Sequence, residues 1–172
     1  MREIPDYEKY PLGDEEMCRR FKNWTETLAG QLVIMYRVGK KYGGEKFVKE
    51  MKEEFFQIGK MTARRWIAAN GIKEEDSPDC TTLARVQDFI DDRYANFWDG
   101  YIECTPRAFE KEIKTCPITK AMSVDPEYCE VLVAESYKGL LAGLNPKFKT
   151  DGWLKLLPKG DKCCRLRATL ED

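Results

Sequence analysis

The sequence predicts an α+β fold. Three observations carry that expectation. The first hundred residues repeat their apolar side chains at helical spacing, the residues after Phe97 fall into short aromatic and β-branched runs, and one further helical stretch splits those runs into two pairs. The predicted order is αααββαββ: an N-terminal helical hairpin and a third helix packed on a small antiparallel sheet. At 172 residues and 20.0 kDa the chain fits one domain. It divides into a tail (1–13), a helical part (14–96) and a sheet-containing part (97–172).

Met17, Phe21, Trp24, Leu28, Leu32 and Met35 recur every three or four residues, which paints one face of a helix from about Asp14 and assigns that face to the core. Gly43-Gly44 breaks it. A second helix reads from about Glu45 to Ala69 with Phe47, Met51, Phe55, Ile58 and Trp66 inward, and Asn70-Gly71 stops it. After the turn-rich KEEDSPDC, Leu83, Val86, Ile90 and Tyr94 describe a shorter third helix. FWDGYIEC and RAFEKEIKTC read as strands, the second with Phe109, Lys111, Ile113 and Thr115 on one face. Asp125-Pro126 opens a helix that runs to about Gly143, since proline suits a first helical turn. GWLKLL, PKGD and KCCRLRATL then form a hairpin, with Cys164, Leu166, Ala168 and Leu170 sharing a face.

Composition excludes several classes of function. Twenty-nine Lys and Arg against 30 Asp and Glu leave a formal charge of −1, so no basic surplus drives nucleic-acid binding. With no His, serine and cysteine triads based on imidazole, His-zinc sites and His-ligated haem are out of reach. The glycines form neither GxGxxG nor a P-loop, so nucleotide cofactors have no support. Seven cysteines without a CxxC argue against a disulfide framework, and the charged N-terminus is no signal peptide. No apolar run reaches the membrane-spanning length of about 18 residues. A cytoplasmic protein with reduced thiols, bound to neither membrane nor nucleic acid, is the expectation.

The last third of the chain carries the candidate chemistry. Glu135 interrupts a helical stripe of Tyr128, Leu132 and Gly139, where burial without a cation would raise its pKa toward acid/base use, while pairing with an Arg or a place at the stripe's edge would make it structural. Cys116 ends a strand before Pro117, and nucleophilic use would need a nearby cation or helix dipole to form the thiolate. Arg165 and Arg167 lie opposite Cys164 on the hairpin, able to grip a carboxylate or to sit in water.

These elements together resemble the L-2-amino-thiazoline-4-carboxylic acid hydrolase family over residues 108–170: Cys116-Pro117, a helix bearing Cys129 and Glu135, Asn145-Pro146, and the closing Gly160-Asp161-Lys162-Cys163-Cys164-Arg165-Leu166-Arg167. The chain has Leu132, Glu135 and Leu166 where the family tends to have Cys, Asp and Phe. The resemblance implies hydrolytic ring opening of a cyclic isothiourea. In that reaction Cys116 and Glu135 would be catalytic, and Arg167, Asn145 and Cys164 would bind substrate. No cofactor is expected. The alternative is a soft divalent metal such as zinc on Cys116, Cys129, Cys164 and Glu135, whose donor types suit it although their spacing is not diagnostic. Two other readings stand beside the enzyme: a non-catalytic small-molecule- or metal-sensing domain, and a partner protein whose first helix donates a homodimer face.

Overall fold

The structure is a computed structural model that describes residues 14–73, 76–94 and 98–171. Four α-helices, α1 (Asp14–Ala69), α2 (Cys80–Tyr94), α3 (Thr119–Met122) and α4 (Ala134–Leu144), accompany four strands, β1 (Trp98–Cys104), β2 (Ala108–Thr115), β3 (Phe148–Lys155) and β4 (Cys164–Leu170). The strands form one antiparallel sheet in the order β1-β2-β4-β3, so the fold is α+β.

The predicted helical hairpin is α1 itself, bent where Gly44 takes φ 57° and ψ −147°. That backbone conformation suits glycine, which has no Cβ to clash. The ring of Phe47 folds back onto Gly39 and Gly43, where an added Cβ would stand 2.3 Å and 2.6 Å from Phe47 atoms. A side chain at Gly39 would require the Phe47 ring to turn away, and one at Gly43 would press on the Phe47 Cβ.

Before the bend, the face turned to the protein is not the expected one. Ala29, Val33 and Tyr36 are buried, whereas Met17, Phe21, Trp24, Leu28, Leu32 and Met35 are exposed. Both sets have helical spacing, and the body covers only one side of this limb. The side it covers carries the smaller Ala29 and Val33 and the polar-tipped Tyr36, whose hydroxyl donates to Glu127 at 3.1 Å. In the second limb Trp66 is buried and Phe47, Met51 and Phe55 are half-buried, but Ile58 is exposed. Gly59 makes the helix contact there instead.

Two apolar clusters hold the layers together. One joins Ala63 and Trp66 of α1 to Leu83 and Val86 of α2, Leu140 of α4, and Phe109 and Leu166 of the sheet. The other joins Val33 and Tyr36 to Met122, Tyr128, Leu132, Leu156 and Cys164. Tyr128 stands edge-on to both Tyr36 and Phe55, with ring centroids 5.7 Å and 5.9 Å apart, an arrangement the ring quadrupoles favour.

The helix predicted after Pro126 begins as a π-helical turn, Tyr128–Val133, before α4 takes over. The wider turn rotates everything after it relative to a stripe of constant 3.6-residue period. Tyr128 and Leu132 therefore keep the core while Glu135 moves to the edge.

Helix α2 starts from a side-chain cap. Asp79 Oδ1 accepts the backbone N–H groups of Thr81 and Thr82 at 3.0 Å and 2.9 Å, and the Thr81 hydroxyl at 2.7 Å. Burial alone would raise the Asp79 pKa, but these donors together hold it below the usual carboxylate value. The cap's stabilisation is therefore complete above the ordinary carboxylate range and is lost as pH falls through the lower folded value. Asp79→Ala is expected to cost about 1 kcal/mol near neutral pH and nothing once the carboxyl is protonated. Urea titrations of both proteins from pH 7 to pH 2 check this.

Candidate functional site

The sequence-predicted residues fall in four separate places. Cys116, Cys129 and Cys164 are neighbours at the junction of β2, the π-turn and β4, close enough for charge on one to disfavour charge on another. Cys129 and Cys164 are buried and Cys116 half-buried. Burial pushes the Cys129 thiol up to about 12, with Cys116 and Cys164 adding to the effect. It pushes Cys164 up to about 11, opposed by the Leu157 N–H that its sulfur accepts at 3.2 Å. Cys116 is also raised by burial, opposed by the nearby polar groups of Ile118 and Thr119; the Thr119 hydroxyl donates to the Cys116 carbonyl at 2.9 Å. All three are thiols at neutral pH, and thiolate is the reactive form. Among the described residues no group of three His, Cys, Asp or Glu side chains is placed to hold a metal ion.

Glu135 stands elsewhere, paired with Lys138 at 2.8 Å and Lys52 at 3.5 Å. Its partners are two lysines, where the structural alternative expected an arginine. Asn145 is buried and spends both ends of its amide within the protein: Nδ2 donates to the Pro78 carbonyl and Oδ1 accepts the Lys147 N–H, each at 3.0 Å. It ties the end of α4 to the start of α2. Arg167 lies opposite Glu110 in the β2–β4 register, on the sheet face that also carries Glu112 and Arg165. The Arg165 guanidinium donates to Glu112 at 2.8 Å, and the buried Arg167 Nε has no hydrogen-bond partner among the described residues. In the Gly160-Asp161 turn, Gly160 is left-handed at φ 94° and Asp161 accepts the Leu156 N–H at 2.7 Å. That part of the C-terminal motif shapes the β3–β4 connection.

The structure opens a cleft elsewhere. A space of about 800 Å³ lies between the second limb of α1 and the segment from Glu127 to Glu135, with Val48 and Phe56 as its apolar part. Lys40, Lys49 and Lys52 line it with Glu45, Glu53, Glu127 and Glu135. Lys40 pairs with Glu127, whose carboxyl is held below its usual value chiefly by that lysine and by the Tyr36 hydroxyl. Lys52 pairs with Glu135, and Glu53 accepts Gln57 at 2.8 Å. Among the described residues Lys49 and Glu45 make no ion pair, one turn apart on one helix face. Among the described residues the cleft thus offers one cation, Lys49, and two carboxylates outside any ion pair, Glu45 and Glu53, beside an apolar wall. In the sequence this stretch reads as a charged helix surface, and only its packing against the π-turn makes it concave. Glu135 is the one predicted site residue that lines it.

No protein-family model matches the sequence, and no curated protein matches it. Among solved structures, trafficking protein particle complex subunit 3 from Naegleria fowleri, covalently bound to palmitic acid, superposes with a TM-score of 0.61. The chain shares that fold. The alignment covers 90% of this chain and 97% of the subunit at 10% sequence identity, so the likeness is one of fold alone. No helix among the described residues is long and apolar enough to cross a membrane.

Proposed function

We propose that the protein is a non-catalytic binding domain whose cleft takes a small zwitterion with an apolar portion. The observation that carries this reading is the cleft's composition: Lys49 and Glu45 without ion-pair partners, beside Val48 and Phe56. A ligand carboxylate would meet Lys49 and a ligand ammonium Glu45, while the apolar part covers Phe56. The ring-opening hydrolase reading is weaker on chemical grounds. It needs a thiolate and a free carboxyl at one place, whereas Cys116 is a desolvated thiol outside the cleft and Glu135 is held by two lysines. The trafficking subunit's palmitate makes an acyl chain the competing ligand on a shared fold.

Calorimetric titration with L-2-amino-thiazoline-4-carboxylate and, separately, with palmitate tests the proposal, alongside mass-spectrometric search for N-carbamoyl-cysteine. The expected result is binding of the zwitterion without product, weakened about tenfold or more by Lys49→Ala, which removes about 1.4 kcal/mol or more. Product that vanishes in Cys116→Ser would restore the hydrolase. Palmitate binding alone would move the ligand out of this cleft.

A further inference from the structure

The first limb of α1 carries a seam that the other described residues leave uncovered. From Met17 to Tyr42, positions at alternating intervals of four and three hold apolar residues at every step but one, Gln31. This is the 3.5-residue repeat of a helix that pairs with another helix along its length. All of its members are exposed, with Trp24 at 62%, Met35 at 68% and Tyr42 at 79%, and Leu32 and Ile34 widen it. The buried Ala29 and Val33 are on the opposite side, so the limb can keep its own contacts while using the seam. Together the exposed apolar side chains present on the order of 1,000 Å², more than monomers usually leave in one patch and close to the roughly 800 Å² per partner of a stable interface.

We propose that this seam pairs with the same seam of a second copy, antiparallel. In that pairing every position of one helix faces a position of the other, and each aromatic residue meets an aliphatic one: Phe21 opposite Val38, Trp24 opposite Met35, Tyr42 opposite Met17. Leu28 faces Gln31 in the two central layers, which brings the two Gln31 amides together near the two-fold axis, where they can hydrogen-bond each other. A parallel pair would instead set Trp24 on Trp24 and Phe21 on Phe21. Like charges, Arg20 and Lys41, meet at each end of the antiparallel pair, but Glu16 already holds Arg20 at 2.7 Å. Few cations border the seam, which favours protein over an anionic lipid surface as its cover.

Sedimentation equilibrium of the full chain is expected to give twice the 20.0 kDa chain mass at micromolar concentration. Leu28→Lys with Met35→Lys should halve that mass while circular dichroism and the unfolding transition stay those of a folded protein. A second variant, Phe21→Cys with Val38→Cys, reads the register: oxidation followed by peptide mapping should recover a bridge between positions 21 and 38. Those sites lie about 25 Å apart on one helix, beyond the reach of an intrachain bridge. Bridges 21 to 21 and 38 to 38 would overturn the antiparallel register. A wild-type monomer, a dimer indifferent to the two lysines, a Trp24 that becomes solvent-exposed only on deletion of residues 1–13, or a monomer that binds lipid vesicles through this face would each overturn the proposal.

Discussion

Gly139→Ala is expected to be among the most damaging single substitutions in the protein. A Cβ at Gly139 would stand 1.9 Å from the Phe56 carbonyl oxygen, and one at Gly59 would stand 1.8 Å from that of Ser136. Both obstacles are backbone, so no rotamer change can clear them. Gly143 continues the contact against Lys60 and Ala63, with residue numbers rising together on both helices, so the second limb of α1 and α4 run in the same sense. Adding a methyl group anywhere along this line requires the helices to separate. That separation would open the cluster of Ala63, Trp66, Leu140 and Leu144. Overpacking costs about 1–3 kcal/mol and occasionally more. Backbone obstruction places this site at about 3 kcal/mol or above, even after the roughly 1 kcal/mol by which alanine improves helix propensity. Gly30→Ala is the matched control: nothing lies within 4 Å of its added Cβ, so the same change should stabilise by up to about 1 kcal/mol. Urea denaturation of the three proteins separates these outcomes, and equal effects at Gly30 and Gly139 would refute the close-contact account.

The second large effect is expected at Lys111. Its side chain is fully buried on the core face of β2, paired with Asp91 of α2, and its ammonium lies 5.4 Å from the centre of the Tyr101 ring. Asp91→Ala removes one of the groups that compensate this buried cation, and loss of a partner from a buried pair costs up to about 3–5 kcal/mol. Replacing both residues, Lys111→Met with Asp91→Leu, should recover most of that loss, because neither of these two charges then needs compensation in the interior. Thermal unfolding of the single and double variants checks the pattern. A double variant as unstable as Asp91→Ala would show that the pair's worth lies in its other contacts.

The α+β class and the strands were legible because their signals are local. Alternation in β2 already put Phe109 and Lys111 on one face, and the structure buries both. Pro126 and Asn145 bracketed the helical stretch between the hairpins to within a few residues. What failed was the choice between two faces of equal period. The first limb of α1 has apolar residues on both sides, and periodicity alone does not say which side the body covers. The π-turn was invisible for a related reason: a stripe drawn at constant pitch carries Glu135 with Tyr128, and one wider turn breaks that link. The expected site was a set of residues close in motif but not in space. Cys116, Cys129 and Cys164 do meet, but Glu135, Asn145 and Arg167 serve other parts of the molecule. The cleft charges Glu45 and Lys49 carried no sequence signal beyond a charged helix face, since concavity comes from long-range packing. Tyr94, Trp98 and Cys18 side chains, and the tail, lie outside the described residues.

The strand order bears on how the molecule comes into being during translation. In β1-β2-β4-β3 the interior position beside β2 belongs to β4, the strand synthesised last of the four. Until Cys164–Leu170 emerges from the ribosome, β2 has only β1 to pair with, and β3 has no neighbour. Trp153 must wait on the same event, since its cross-strand partner is Leu166, and Phe109 until then has only Cys104 of β1. A nascent chain held just short of β4 should therefore be protease-sensitive through its whole C-terminal half, and gain resistance in one step when those seven residues arrive.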